Sequence, residues 1–226
     1  LAKQLLAKLN EKYQYASVLI TDNYEKGYRA SRSGVAISAT NAFGGKGMIV
    51  KVYDGKGYAE YSTNEITAEN LPEIEREIEQ QLMNPANFIP EGTEEAEYKC
   101  ISDEPCTLCE ATDYEIHPRE VGDEKLIETV TALREKAVKA DERILDAITG
   151  FNYQEYHKLF LSANRELEQS VLYSAGIMAL VAAKGEEIKQ SFRGFSNLGG
   201  AELLDKMESA IPQCVKTVTD LLNAEP

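Results

Sequence analysis

The sequence is poor in histidine, cysteine and positive charge, and it contains no long apolar run. Its two histidines, His117 and His157, are the whole supply. They lie too far apart to form the i, i+4 pair through which one helix presents two imidazoles to a metal ion. Four cysteines in 226 residues do not make a disulfide scaffold, and a reducing compartment would keep them as thiols. Lys and Arg number 24 against 38 Asp and Glu, a net charge of −14, and no basic cluster stands out. A nucleic-acid partner is therefore not expected, because such binding needs a basic face to displace counterions from phosphate. The longest apolar stretch, residues 175–183, is far short of the ~20 residues that cross a membrane. The N-terminal LAKQLLAKLNEKYQY carries an amphipathic helix pattern without the apolar core or cleavage site of a secretory signal. The expectation is a cytoplasmic protein with no membrane partner.

What is present is ordinary for a globular chain: 43% hydrophobic and 27% charged residues, enough to bury a sizeable core. The glycine-rich stretch GGKGMIVKVYDGKGYAEYST, residues 44–63, fails both tests for a phosphate loop. Lys46 is not followed by Ser or Thr, and the glycines do not fall in G-x-G-x-x-G order. Alternation through Met48, Val50 and Val52, an Asp54-Gly55 turn and renewed alternation over 58–63 predict a β-hairpin with its tip at Asp54-Gly55. Residues 16–21 and 28–39 read as two further strands joined through 23–27, giving a four-stranded meander.

A helix follows, with Leu71, Ile74, Ile78 and Leu82 on one stripe, Asn70 as cap and Pro72 in the first turn. Residues 84–118 carry four of the seven prolines and read as a long connecting loop. Beyond it Leu126, Ile127, Val130, Leu133 and Ala137 mark a helix, and 144–153, 156–162, 167–183 and 186–195 read as strands. The last pair turns at 184–186, and a final helix carrying Leu204, Met207, Ile211, Val215, Val218 and Leu222 should kink at Pro212. A shift of 129 positions lays Asn23-Tyr24 on Asn152-Tyr153 and Gly47 on Gly176. Helix, four strands, helix thus occurs twice, a duplication with halves 1–83 and 119–226 joined by 84–118. The expected fold is a single α+β domain with a large, mostly antiparallel sheet and flanking helices.

Chemistry-bearing residues are sparse. Cys100, Cys106, Cys109 and His117 stand in C-x5-C-x2-C-x7-H order, which thiolate and imidazole ligands of a structural zinc could adopt. A single C-x2-C is half of a zinc-ribbon signature, so free thiols are the expectation, with zinc and a redox dithiol as the alternatives. His157 reads as a rim residue and Cys214 as core. The glutamates at 73, 75, 77 and 79 read as a solvated helix face. Arg29 and Arg32 could meet a peptide carboxylate or simply face solvent. No catalytic, cofactor or metal residue is assigned.

Three stretches taken in order resemble the N-terminal domain of the TldD/PmbA family, once called modulators of DNA gyrase. They are YASVLITDNYEKGYRASRSG, GKGMIVKVYDGKGYAEYSTNEITAENL with its T-x-E-x-L helix start, and LFLSANRELEQSVLYSAGIMALVAAKGEEIKQSFRGF. The resemblance implies a zinc metallopeptidase system whose metal is held by H-E-x-x-x-H, with a further cysteine, in a C-terminal catalytic domain. That signature is missing here, so no catalytic residue carries over and the chain alone is expected to be inactive. By the same resemblance the domain pairs with a second TldD/PmbA-type subunit, like or unlike itself, and shapes the access of unfolded peptides. Zinc belongs to the full-length protein. The start at Leu1 and the end at DLLNAEP are expected to be cuts before and after this domain. A reading of a different class is a free-standing module that binds peptide or protein by strand addition, with no protease attached.

Overall fold

Leu5, Leu6 and Leu9 recur on one face of the first helix, α1 (Ala2–Lys12), and that face is buried. In the computed structural model the described residues are 1–39, 45–65, 67–83 and 98–224, without the side chains of 81–83. The remaining elements are β1 (Tyr15–Ser31), β2 (Gly34–Ala39), β3 (Gly47–Tyr53), β4 (Tyr58–Thr63), α2 (Leu71–Met83), β5 (Cys106–Ala111), α3 (Pro118–Val121) and α4 (Asp123–Lys139). They continue with β6 (Ile144–Ser162), β7 (Arg165–Lys184), β8 (Glu187–Leu198), α5 (Leu203–Ser209) and α6 (Ile211–Leu221). The fold is α+β: a large antiparallel open sheet of eight strands flanked by helices.

The chain condenses into two compact units. The first combines Leu1–Asn23, Gly44–Glu110 and Tyr156–Ser170, with strand order β4-β3-β1-β6-β7-β5. Its core joins Leu5 and Leu9 of α1 to Ile74 and Ile78 of α2 over Val18, Val50 and Val52. The second combines Tyr24–Phe43, Ala111–Glu155 and Val171–Pro226, with strand order β2-β1-β6-β7-β8. Its core packs Leu126, Val130 and Leu133 of α4, Met207 of α5 and Val218 of α6 onto Phe151, Met178 and Leu180. Each of these large apolar side chains contributes roughly 2 kcal/mol by leaving water.

The hairpin expected over 44–63 is present across its described part. β3 and β4 pair from Met48↔Thr63 to Tyr53↔Tyr58, Gly55 takes φ +102°, and Asp54 Oδ1 accepts the amides of Lys56 and Gly57 at 2.8 and 2.9 Å. The last hairpin turns at Gly185, φ +63°, with Lys184 opposite Glu187.

Several expected boundaries are corrected. Residues 15–31 form one strand, not two, because the polar centre finds partners far away in sequence: Lys46 for Asp22 and Asp123 for Lys26. The chain then reverses between Ser31 and Gly34, and β2 and β3 each pair with β1, so the four strands are not a meander. Residues 144–162 are likewise one strand.

The expected loop contains β5 and an anchored lead-in, where the Tyr58 hydroxyl donates to Lys99 O at 2.8 Å and accepts from Ile101 N, and it ends at Pro118, the first residue of α3. Residues 84–97, the first part of that loop, and the Leu82 side chain lie outside the described residues. The kinked final helix is two helices. The missing N–H of Pro212 suits the first turn of a new helix better than the middle of an old one, and the break falls at Ala210.

Asn70 directly precedes α2, as expected, and its carbonyl accepts the amides of Glu73 and Ile74 at 3.1 and 3.0 Å. One turn earlier, Thr67 Oγ1 accepts Asn70 N–H at 3.3 Å and Asn70 Oδ1 accepts Thr67 N–H at 2.9 Å, a reciprocal box around the turn that opens the helix.

Two element starts keep the offset of 129 positions expected from sequence: β6 opens at Ile144, 129 residues after β1 at Tyr15, and β8 at Glu187, 129 residues after β4 at Tyr58. The expected four strands of the second half are three, because 144–153 and 156–162 belong to the single strand β6.

Candidate functional site

Alternation along the strands of the second unit sends Tyr28, Ala30, Phe151, Met178 and Leu180 to the face that α4, α5 and α6 cover. The residues between them, Arg29, Ser31, Ile148, Ile177, Ala179 and Val181, point to the other face. Register extends this face onto β8, since Ala179 pairs with Phe192 and Ala183 with Ile188. It is apolar and wet: Phe192 is 77% exposed, Leu198 66% and Ile188 64%.

Two adjoining cavities lie on it. One, of about 560 Å³, is lined by Arg29, Arg32, Ser31, Ser33, Ala36, Asp146 and Ile148. The other, of about 370 Å³, shares Asp146 and Ile148 and adds Ala179, Val181, Gln190 and Phe192.

The charges in the first cavity are unequal. Asp146 is neutralised by Arg134 and also accepts from Ala147 N at 2.8 Å. The turn that carries Arg32 is closed by Ser31, whose Oγ donates to Gly34 O at 3.1 Å. Among the described residues neither Arg29 nor Arg32 has an ion-pair partner, and both are exposed. Two guanidinium forks therefore stand free beside an apolar floor, an arrangement that suits an anion carrying an apolar group.

The other residues singled out from sequence go elsewhere. Cys106 and Cys109 lie on β5 three positions apart, which puts them on opposite faces of the strand, and both are exposed, as is Cys100. His117 caps α3, its Nδ1 accepting Arg119 N–H at 3.2 Å, and its Nε2 lies 3.7 Å from Glu155. Among the described residues no group of three or more His, Cys, Asp or Glu is placed to hold a metal ion. His157 is exposed and its Nδ1 meets Ser170 Oγ at 3.0 Å, with no third group among the described residues to orient the pair. Glu75 and Glu79 bridge to Lys8 and Lys12 of α1, and Glu73 and Glu77 meet Arg76. Cys214 is buried, and burial raises its thiol pKa.

Sequence reasoning missed the cluster around Glu155. Arg119 donates to Glu155 at 2.6 Å and stacks 4.3 Å over the Tyr24 ring, which lies 6.0 Å from Tyr153. Burial, ahead of the neighbouring Tyr24, pushes the Tyr153 phenol well above its ordinary range. These groups pin α3 to β6 and offer no nucleophile. Their spacing of 36 residues between Arg119 and Glu155 leaves no local pattern to read.

This architecture is found in solved structures of other proteins. It is shared with a protein of Thermotoga maritima assigned provisionally as a modulator of a DNA gyrase, at TM-score 0.73 and 14% identity over 99% of this chain and 48% of that one. A second such protein, from Bacteroides thetaiotaomicron, matches at TM-score 0.68 and 17% identity over 99% of this chain and 50% of that one. TldE from Thermococcus kodakarensis matches at TM-score 0.68 and 13% identity over 96% of this chain and 47% of that one. At these identities the likeness is one of fold, and the chain spans about half the length of each structure. No protein-family model and no curated protein matches the chain. No helix among the described residues is long and apolar enough to cross a membrane.

Proposed function

We propose that this chain serves as the non-catalytic N-terminal part of a TldD/PmbA-type zinc metallopeptidase of the cytoplasm. It pairs with a second TldD/PmbA-type subunit and shapes the access of unfolded peptides to a metal held elsewhere. The observation that carries this reading is the fold likeness over nearly the whole chain, in a sequence with no H-E-x-x-x-H. The described residues do not fit a zinc hydrolase site, which needs a ligand set with one open position and a base beside the bound water. The exposed apolar end of β8 at Leu198, which lines neither cavity, supports pairing, since exposed apolar area marks interaction surfaces.

The test compares chelator-sensitive cleavage of a denatured peptide by this chain with cleavage by the chain joined to a segment bearing H-E-x-x-x-H. Activity is expected only in the second case. Cleavage by this chain alone at a similar rate would overturn the reading. Sedimentation tests pairing: the chain is expected to self-associate or to join a related subunit, and Leu198→Glu to weaken that association by roughly tenfold or more.

A further inference from the structure

We infer that the paired cavities on the open face bind the C-terminal end of a peptide, with the free carboxylate on Arg29 and Arg32 and the last apolar side chain over Ile148, Val181 and Phe192. This rests on the peptide-access reading for its biological sense, and on the cavity chemistry for its substance. Arg29 and Arg32 are the cations of the first cavity without an ion-pair partner among the described residues, while its one acid, Asp146, is already held by Arg134. The cavity therefore carries a local excess of positive charge in a chain whose net charge is −14. General attraction of anions by the protein as a whole is thus excluded, and an anion that settles here does so through these two side chains.

A carboxylate offers two oxygens to guanidinium donors and is matched in geometry by either fork. Ser33 supplies a hydroxyl at the same turn, its Oγ 2.9 Å from that of Ser31, whose own proton goes to Gly34 O. The second cavity begins where the first ends, at Ile148, and its volume of about 370 Å³ has room for a large apolar side chain. A simple inorganic anion would use the first cavity and leave the second empty. A peptide end uses both.

Calorimetry on the intact chain tests this with four probes: acetyl-Gly-Gly-Phe as the free acid, the same peptide as its C-terminal amide, acetyl-Gly-Gly-Gly acid, and inorganic phosphate. The free acid is expected to bind, and the amide and the glycine peptide each to bind roughly tenfold more weakly or worse. Arg29→Gln and Arg32→Gln should each weaken the acid by a similar factor without changing the melting curve, since both side chains are exposed. Equal binding of acid and amide, indifference to both substitutions, or displacement of the peptide by phosphate at matched concentration would overturn the inference. Loss of peptide binding with association intact sinks this inference alone, whereas loss of association with peptide binding intact sinks the pairing.

Discussion

Asp123 shows how a single carboxylate can tie a helix to a strand. It accepts the Lys26 ammonium at 2.6 and 2.7 Å and the Tyr28 hydroxyl at 2.7 Å, and these two partners, Lys26 first, hold its carboxyl below the usual range. Burial, ahead of the bond to Asp123, raises the Tyr28 phenol. A carboxyl lowered in the folded state adds stability that is present above its unfolded value of ~3.9 and lost as pH falls through the lowered folded value. The Asp123 side chain is 53% exposed, so solvent screens much of that gain. Tyr28→Phe is expected to cost about 1 kcal/mol at neutral pH. The deficit should shrink below the ordinary carboxyl range, once Asp123 is protonated. Urea unfolding of both proteins at the two pH values checks it, and an equal deficit at both would show that the charge on Asp123 is irrelevant.

At the scale of elements, two close fits are testable. Thr67→Ala removes one half of the reciprocal box that opens α2 and should cost about 1 kcal/mol in unfolding free energy. Gly200 precedes α5, and a Cβ there would collide with Ile116 O, a backbone atom that itself accepts Ala201 N–H at 2.8 Å. Gly200→Ala is therefore expected to destabilise by about 2–3 kcal/mol, seen as a lowered melting temperature. Elements whose signals are local were legible in the sequence. The Asp54-Gly55 turn, the α4 stripe and the buried face of α1 all follow from spacing between near neighbours in the chain. The unbroken length of β1 and β6 was not legible, because a polar centre such as that of β1 is satisfied by residues remote in the chain, Asp123 among them. The candidate site was half legible. Arg29 and Arg32 stand out as a pair on the strand read over 28–39, but Asp146 and Ile148, which complete their cavity, come from β6, far along the chain.

For the whole molecule, the halves expected from sequence and the two compact units divide the chain differently. The expected halves follow one another in sequence, whereas each unit takes segments from both, and β1, β6 and β7 each give part of their length to either unit. A strand that runs through two units couples their unfolding. Releasing one unit ends the regular backbone of three strands at the boundaries after Asn23, Glu155 and Ser170, and any backbone group left buried there without a partner costs ~1–3 kcal/mol. Neither unit should therefore melt alone. The expected outcome is one cooperative transition in urea, with far-UV dichroism and tyrosine fluorescence superimposing; with no tryptophan in the chain, its 12 tyrosines report tertiary structure. Native-state hydrogen exchange should give the slowest amides of β1, β6 and β7 a common opening free energy on both sides of the boundaries after Asn23, Glu155 and Ser170. Two separate transitions, or strand amides whose protection steps at those boundaries, would show that the units unfold independently and that continuity of the strands does not couple them.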